Sequence, residues 1–120
     1  MTTKTIQQLT HLVEQWHIAR NLIEGATDKD QLAKLIQEMG ELSDNICKGR
    51  DIRDDVGDMI VVLINIAERN DISITECLEQ AYNDIKDRKG RNPIRIVVDS
   101  TCRIPTFSKI VDILTFIFSN

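Results

Sequence analysis

An all-α bundle is the fold class this 120-residue sequence predicts, and three observations predict it. Apolar residues recur at helical spacing in successive segments as far as residue 91, capping residues open those segments, and the connections between them are short.

The first helix is expected over about residues 3–24, where Ile6, Leu9, Val13, Trp16 and Ile23 form the stripe and Gly25 is the stop. Thr27 and Asp28 are the caps expected for the second, with Gln31 three residues after Asp28 as capping-box partner. Its stripe is Leu32, Leu35, Ile36, Met39, Leu42 and Ile46, and it ends near KGRD, where Gly49 lets the chain turn. The third, about residues 52–70, contains MIVVLINIA, which is apolar on nearly every side and reads as the buried central helix. Asn65 interrupts it, seven residues and about two turns after Asp58, so the two share a face. Either Asn65 reaches the site described below or it is a core asparagine satisfied by backbone or water. A fourth helix follows Ser73, whose Ser73/Glu76 spacing is a capping box, and carries Ile74, Cys77, Leu78, Ala81, Tyr82 and Ile85 before Gly90. No internal repeat or low-complexity segment is evident.

Residues 92–120 are expected to form a C-terminal extension to a helical catalytic domain of residues 1–91. RIVVDS is β-branched, Pro93 and Pro105 punctuate the segment, and SKIVDILTFIFSN suits a short amphipathic helix. Left exposed, Phe107, Phe116 and Phe118 would invite aggregation, so the extension should pack on the bundle or on a second subunit.

Composition narrows the function classes. A chain this long holds one domain with a modest core. The net charge of −4 and pI near 5.1 argue against nucleic-acid and membrane-surface binding, which need a basic footprint. Cys47, Cys77 and Cys102 are an odd, widely spaced set without CxxC, suggesting neither a disulfide framework nor a zinc site, and a reducing cytoplasm is the expected compartment. MTTKTIQQLT lacks a signal peptide's apolar region, and no run reaches the ~18 apolar residues of a membrane span.

Beside the most apolar stretch stand two acidic pairs, Glu38/Glu41 in QEMGEL and Asp55/Asp58 in DDVGDM. Residues three apart on a helix project from one face, so an antiparallel hairpin of the two segments would converge four carboxylates. Bare, that cluster repels itself and raises some of its own pKa values unless a divalent cation neutralises it. Mg²⁺, which takes a few carboxylates together with substrate phosphates, is the economical occupant.

The stretches LAKLIQEMGELSDNI, DDVGDMIVVLINIA and AYNDIKDRKGR resemble the MazG-like branch of the all-α nucleoside triphosphate pyrophosphohydrolases, whose pattern is ExxE followed by ExxD. The resemblance covers roughly residues 14–91. It implies a bundle of that family's type, Glu38, Glu41, Asp55 and Asp58 as metal ligands, and Mg²⁺ as cofactor with Mn²⁺ as a substitute. Asp55 departs from the usual Glu, so it would act through water or share the role with Asp54.

The implied reaction is attack of water on the α-phosphorus of a canonical or damaged (deoxy)nucleoside triphosphate, giving monophosphate and pyrophosphate in nucleotide-pool house-cleaning. The metal would bridge phosphate oxygens and stabilise the leaving pyrophosphate while a carboxylate, Glu38 or Glu41, orients or deprotonates the water. Lys86, Arg88, Lys89 and Arg91 would offset triphosphate charge, with Asn83 one turn before Lys86 as a donor. The plainer reading is solvated bases at a helix C-terminus. Lys34, one turn before Glu38, is either a substrate contact or an ordinary i,i+4 pair. Trp16, His17 and Arg20 are candidates for a base pocket, against a plain core role for Trp16.

Other chemistries lack their residues. A di-iron bundle needs Glu-x-x-His motifs, whereas the histidines are His11 and His17 on the first helix. DIRDDVGD has Val56 where a calcium loop needs glycine. Neither a Walker loop nor a nucleophile elbow is present. The rival class is a non-catalytic helical oligomerisation or regulatory module that retains a metal or nucleotide site. Its support is Asp55 and the unusual C-terminal segment, and the intact four-acid set counts against it. A homodimer or homotetramer is expected, because a helix apolar all round has more surface than three short neighbours cover, and the resemblance also implies oligomers.

Overall fold

The computed structural model describes residues 3–88; the expectations for Lys89, Arg91, Cys102 and the 92–120 extension lie outside the described residues. Four helices follow one another, α1 (Ile6–Ala19), α2 (Asp28–Cys47), α3 (Arg53–Arg69) and α4 (Ile74–Ile85). Among the described residues there is no strand, and the all-α expectation holds.

Local chemistry opens three of these helices. Thr5, Thr27 and Ser73 each accept from the backbone N–H three residues on, and the side chains of Gln8, Asp30 and Glu76 accept in return from the cap's own N–H. A cap of this kind contributes about 1 kcal/mol. The partner of α2 is therefore Asp30 rather than Gln31, because Thr27 is the cap and Asp28 is already the first helical residue. No side-chain cap opens α3; there the Arg53 N–H donates to Asp51 Oδ1 at 3.0 Å.

Expected to run to residue 24, α1 stops at Ala19. Asn21 turns the chain with φ 53°, and the N–H groups of Asn21 and Leu22 bond back to Ile18 and His17. Gly25 is not the stop, but a Cβ there would collide with the Asn21 carbonyl, so the connection requires glycine. Gly49, at φ 65°, provides the turn after α2.

Helix α3 is the hub, packed most extensively on α2, then on α1, and least on α4. Val62, Ile64 and Ala67 are its buried apolar residues, around a fully buried Asn65. It is not covered on every side as MIVVLINIA suggested: Val56, Ile60 and Leu63 stay exposed along one face. The fourth helix does not complete a closed bundle among the described residues, since Leu78, Tyr82 and Ile85 are all exposed. Nor is Trp16 core: it is 45% exposed, whereas its neighbour His17 is 2% exposed and faces inward.

Arg69 ties the connection between α1 and α2 to the end of α3. Its guanidinium donates to the carbonyls of Leu22, Ile23 and Ala26 and, through Nε, to Asp28 Oδ1 at 2.9 Å. Asn65 Nδ2 adds a bond to the Leu22 carbonyl at 3.1 Å. Cys77 is a free, exposed thiol; Cys47 is disulfide-bonded, which the cysteine spacing did not suggest. Within the described residues, no helix is long and apolar enough to cross a membrane.

Candidate metal centre

Helices α2 and α3 pack side by side across the short 48–52 connection, and that pairing brings acids from both to one place. Glu38 and Glu41 of α2 and Asp58 of α3 each present a carboxylate oxygen, and the three oxygens lie within 4.8 Å of one another. Glu38 is buried at 5% exposure, Asp58 is half-buried and Glu41 is exposed. The cluster is thus seated in the hairpin at one end and open at the other.

The carboxylates feel each other. The Glu38 charge, with a smaller contribution from burial, raises the pKa of Glu41 above its usual 4.5. Burial, then the charges of Asp54, Glu38 and Asp55, raises that of Asp58 above 3.8. Lys34 answers part of this charge, its Nζ lying 2.8 Å from Glu38 Oε1. That hydrogen bond is the main reason its own pKa is raised. Glu38 Oε2 is buried with no hydrogen-bond partner among the described residues. A buried anionic oxygen without a donor is costly, and an all-oxygen donor set with one unmet position suits a hard divalent cation.

Asp55, the fourth expected acid, is not among the three that converge. It is buried in the first turn of α3, and Asn45 Nδ2 donates to both of its oxygens at 3.0 and 2.9 Å. Its charge still reaches Glu41 and Asp58. Asp54 is exposed beside Asp58. Asn65 turns its amide to Leu22, and its buried Oδ1 has no partner among the described residues.

Sequence reasoning missed Asn45. The signal was present, since Asn45 follows Glu38 by seven residues and shares its helix face.

Among the described residues, the remaining candidates make no hydrogen bond or ion pair with the acids. The Arg20 guanidinium lies 4.4 Å from the centroid of the Trp16 ring, whose edge meets the His17 ring at 5.4 Å between centroids. Burial lowers the His17 pKa against the opposing charge of Glu14. Asn83, Lys86 and Arg88 lie exposed at the C-terminal end of α4.

A sequence model of the MazG nucleotide pyrophosphohydrolase domain matches residues 26–91, which span α2, α3 and α4. The chain is also similar to an uncharacterised 18.2 kDa protein encoded in the rep–hol intergenic region of Haemophilus phage HP1 (strain HP1c1), with 41% identity over 69 residues. That match takes in 56% of this chain and 42% of the relative. No solved structure matches the chain.

Proposed function

The chain belongs to the MazG nucleotide pyrophosphohydrolase family, and from that premise we propose that it hydrolyses nucleoside triphosphates, deoxynucleotides in particular, to monophosphate and pyrophosphate in nucleotide-pool house-cleaning. The observation that carries this reading is the convergence of Glu38, Glu41 and Asp58, together with a buried Glu38 Oε2 that has no hydrogen-bond partner among the described residues.

These three residues would hold Mg²⁺, or Mn²⁺ in its place. A divalent cation held there would neutralise triphosphate charge and stabilise the departing pyrophosphate. Glu38, fixed by burial, is the anchor. Glu41, at the exposed end of the cluster, is the residue placed to orient a water and accept its proton. Asp55, bound by Asn45, contributes negative charge from behind and reaches substrate waters indirectly. Lys86 and Arg88 offset phosphate charge with Asn83 as a hydrogen-bond donor, and the exposed face of Trp16 stacks on the base.

The same reading divides the chain into a catalytic part, residues 1–91, and an extension, residues 92–120. It makes the active form a homodimer or homotetramer, because Val56, Ile60 and Leu63 on α3 and Leu78, Tyr82 and Ile85 on α4 offer apolar faces to a second copy. The substrate pool puts the enzyme in the cytoplasm, where the Cys47 disulfide would be reduced.

A panel of nucleoside triphosphates incubated with Mg²⁺, with pyrophosphate and orthophosphate resolved by chromatography, tests the reading. Monophosphate plus pyrophosphate supports it, and diphosphate plus orthophosphate contradicts the proposed bond. Absence of turnover across the panel favours the non-catalytic regulatory module.

A further inference from the structure

Lys34 and Glu38 are four residues apart on α2, a spacing that on most helices makes an unremarkable surface pair. Two features set this pair apart. The better order for such pairs places the acid N-terminal to the base, and here the base comes first. Moreover, Glu38 is buried, and its other oxygen has no partner among the described residues.

The ammonium also acts on more than Glu38. Its charge is felt at Glu41 and Asp58, which lie on two different helices. Lys34 therefore bonds to Glu38 and acts on the other two carboxylates through its charge. A cluster of formal charge −3 packed within 4.8 Å would repel itself without such a neighbour.

We propose that Lys34 is the resident counter-cation of the metal-free site, and that a divalent cation enters by displacing its ammonium from Glu38 Oε1. The inference rests on the metal reading given above. Both cations seek the same anionic oxygens, and a monovalent charge a few ångström from a divalent one opposes its binding. Lys34 thus weakens metal binding while keeping the empty site from repelling itself. Its flexible four-carbon stem lets the head swing clear. Once displaced, the ammonium stands one turn from the cluster, positioned to pair with a phosphate oxygen of a substrate that arrives with the metal.

The test is calorimetric titration of the nucleotide-free full-length chain with Mn²⁺ alone, on wild type, Lys34→Met, Lys34→Arg and Glu41→Gln. Lys34→Met keeps the length of the side chain and removes the charge, so its Kd for Mn²⁺ should fall by about tenfold. Lys34→Arg, still charged, should stay near wild type, and Glu41→Gln should bind weakly.

In parallel, the side-chain ammonium resonance of Lys34 in the wild type, followed by NMR, should lose its hydrogen-bonded character as Mg²⁺ approaches one equivalent; this needs no variant to fold. If wild type binds Mn²⁺ and Lys34→Met binds it no tighter, or if the ammonium signal is unchanged at saturating Mg²⁺, the displacement is overturned and the metal site stands. If neither wild type nor Lys34→Met binds Mn²⁺, both the displacement and the metal reading are overturned.

Discussion

Asn45 Nδ2 donates to both carboxylate oxygens of Asp55, at 3.0 and 2.9 Å, across the α2–α3 packing. Asp55 is buried, so this amide is its hydrogen-bonding partner where water has little access. Asn45→Ala should destabilise the protein by about 1.5–3 kcal/mol, the range for a hydrogen bond to a charged group. Chemical denaturation measures it. Binding of Mn²⁺ should persist, because Asp55 is not one of the three converging acids. An unchanged midpoint would show that Asp55 is hydrated instead.

Glu68 lies half-buried on α3. Its pKa is raised above 4.5, first by burial and then by the charge of Glu14 and a hydrogen bond with it. For an acid whose folded pKa is raised, the stabilising contribution is full below the unfolded pKa and is lost as pH rises through the folded value. At neutral pH Glu68 is therefore a cost. Glu68→Gln should raise Tm at pH 7 and flatten the fall in stability as pH rises through the upper carboxylate range. Thermal melts across pH measure both; a lower Tm at neutral pH would contradict the assignment.

Glu41→Ala and Asp58→Ala should each abolish divalent-dependent turnover while the metal-free protein stays folded. Both residues carry raised pKa values, so by the same sign their ionised forms oppose folding at neutral pH, and removing either should leave the apo protein as stable as wild type or more so. Circular dichroism melts together with product assays separate the two effects. Variants that unfold would mark the acids as structural.

Arg69 joins the end of α3 to the carbonyls of Leu22, Ile23 and Ala26 and to Asp28. Arg69→Met keeps much of the stem and removes every donor, and should cost about 2–3 kcal/mol. Hydrogen exchange should speed up first in the connection between α1 and α2. Uniform exchange with no loss of stability would mean that the connection holds itself.

What could be read from the sequence follows the range of each force. Caps are local, so Ser73/Glu76 was legible from four residues, while the overlap of Thr27 and Asp28 shifted the capping partner of α2 by one residue. The acidic pairs were legible because helical periodicity fixes their faces. Which three of the four acids converge depends on how α2 and α3 pack, and so does the engagement of Asp55 by Asn45, of which the sequence carried only the shared helix face of Asn45 and Glu38. Likewise Trp16, the bulkiest apolar residue on its helix, was a reasonable core candidate, yet α1 turns His17 inward and leaves Trp16 beneath Arg20. Burial of α3 was overread because hydrophobicity alone does not say whether the cover is a neighbouring helix or a second copy.

The central claim is that the cluster of Glu38, Glu41 and Asp58 supports attack of water on the α-phosphorus. Turnover of a nucleoside triphosphate in heavy-oxygen-labelled water, with mass spectrometry of both products, tests it most directly. The account predicts label in the monophosphate, unlabelled pyrophosphate, and neither product from Asp58→Ala. Label in pyrophosphate, or release of orthophosphate in its place, would contradict it.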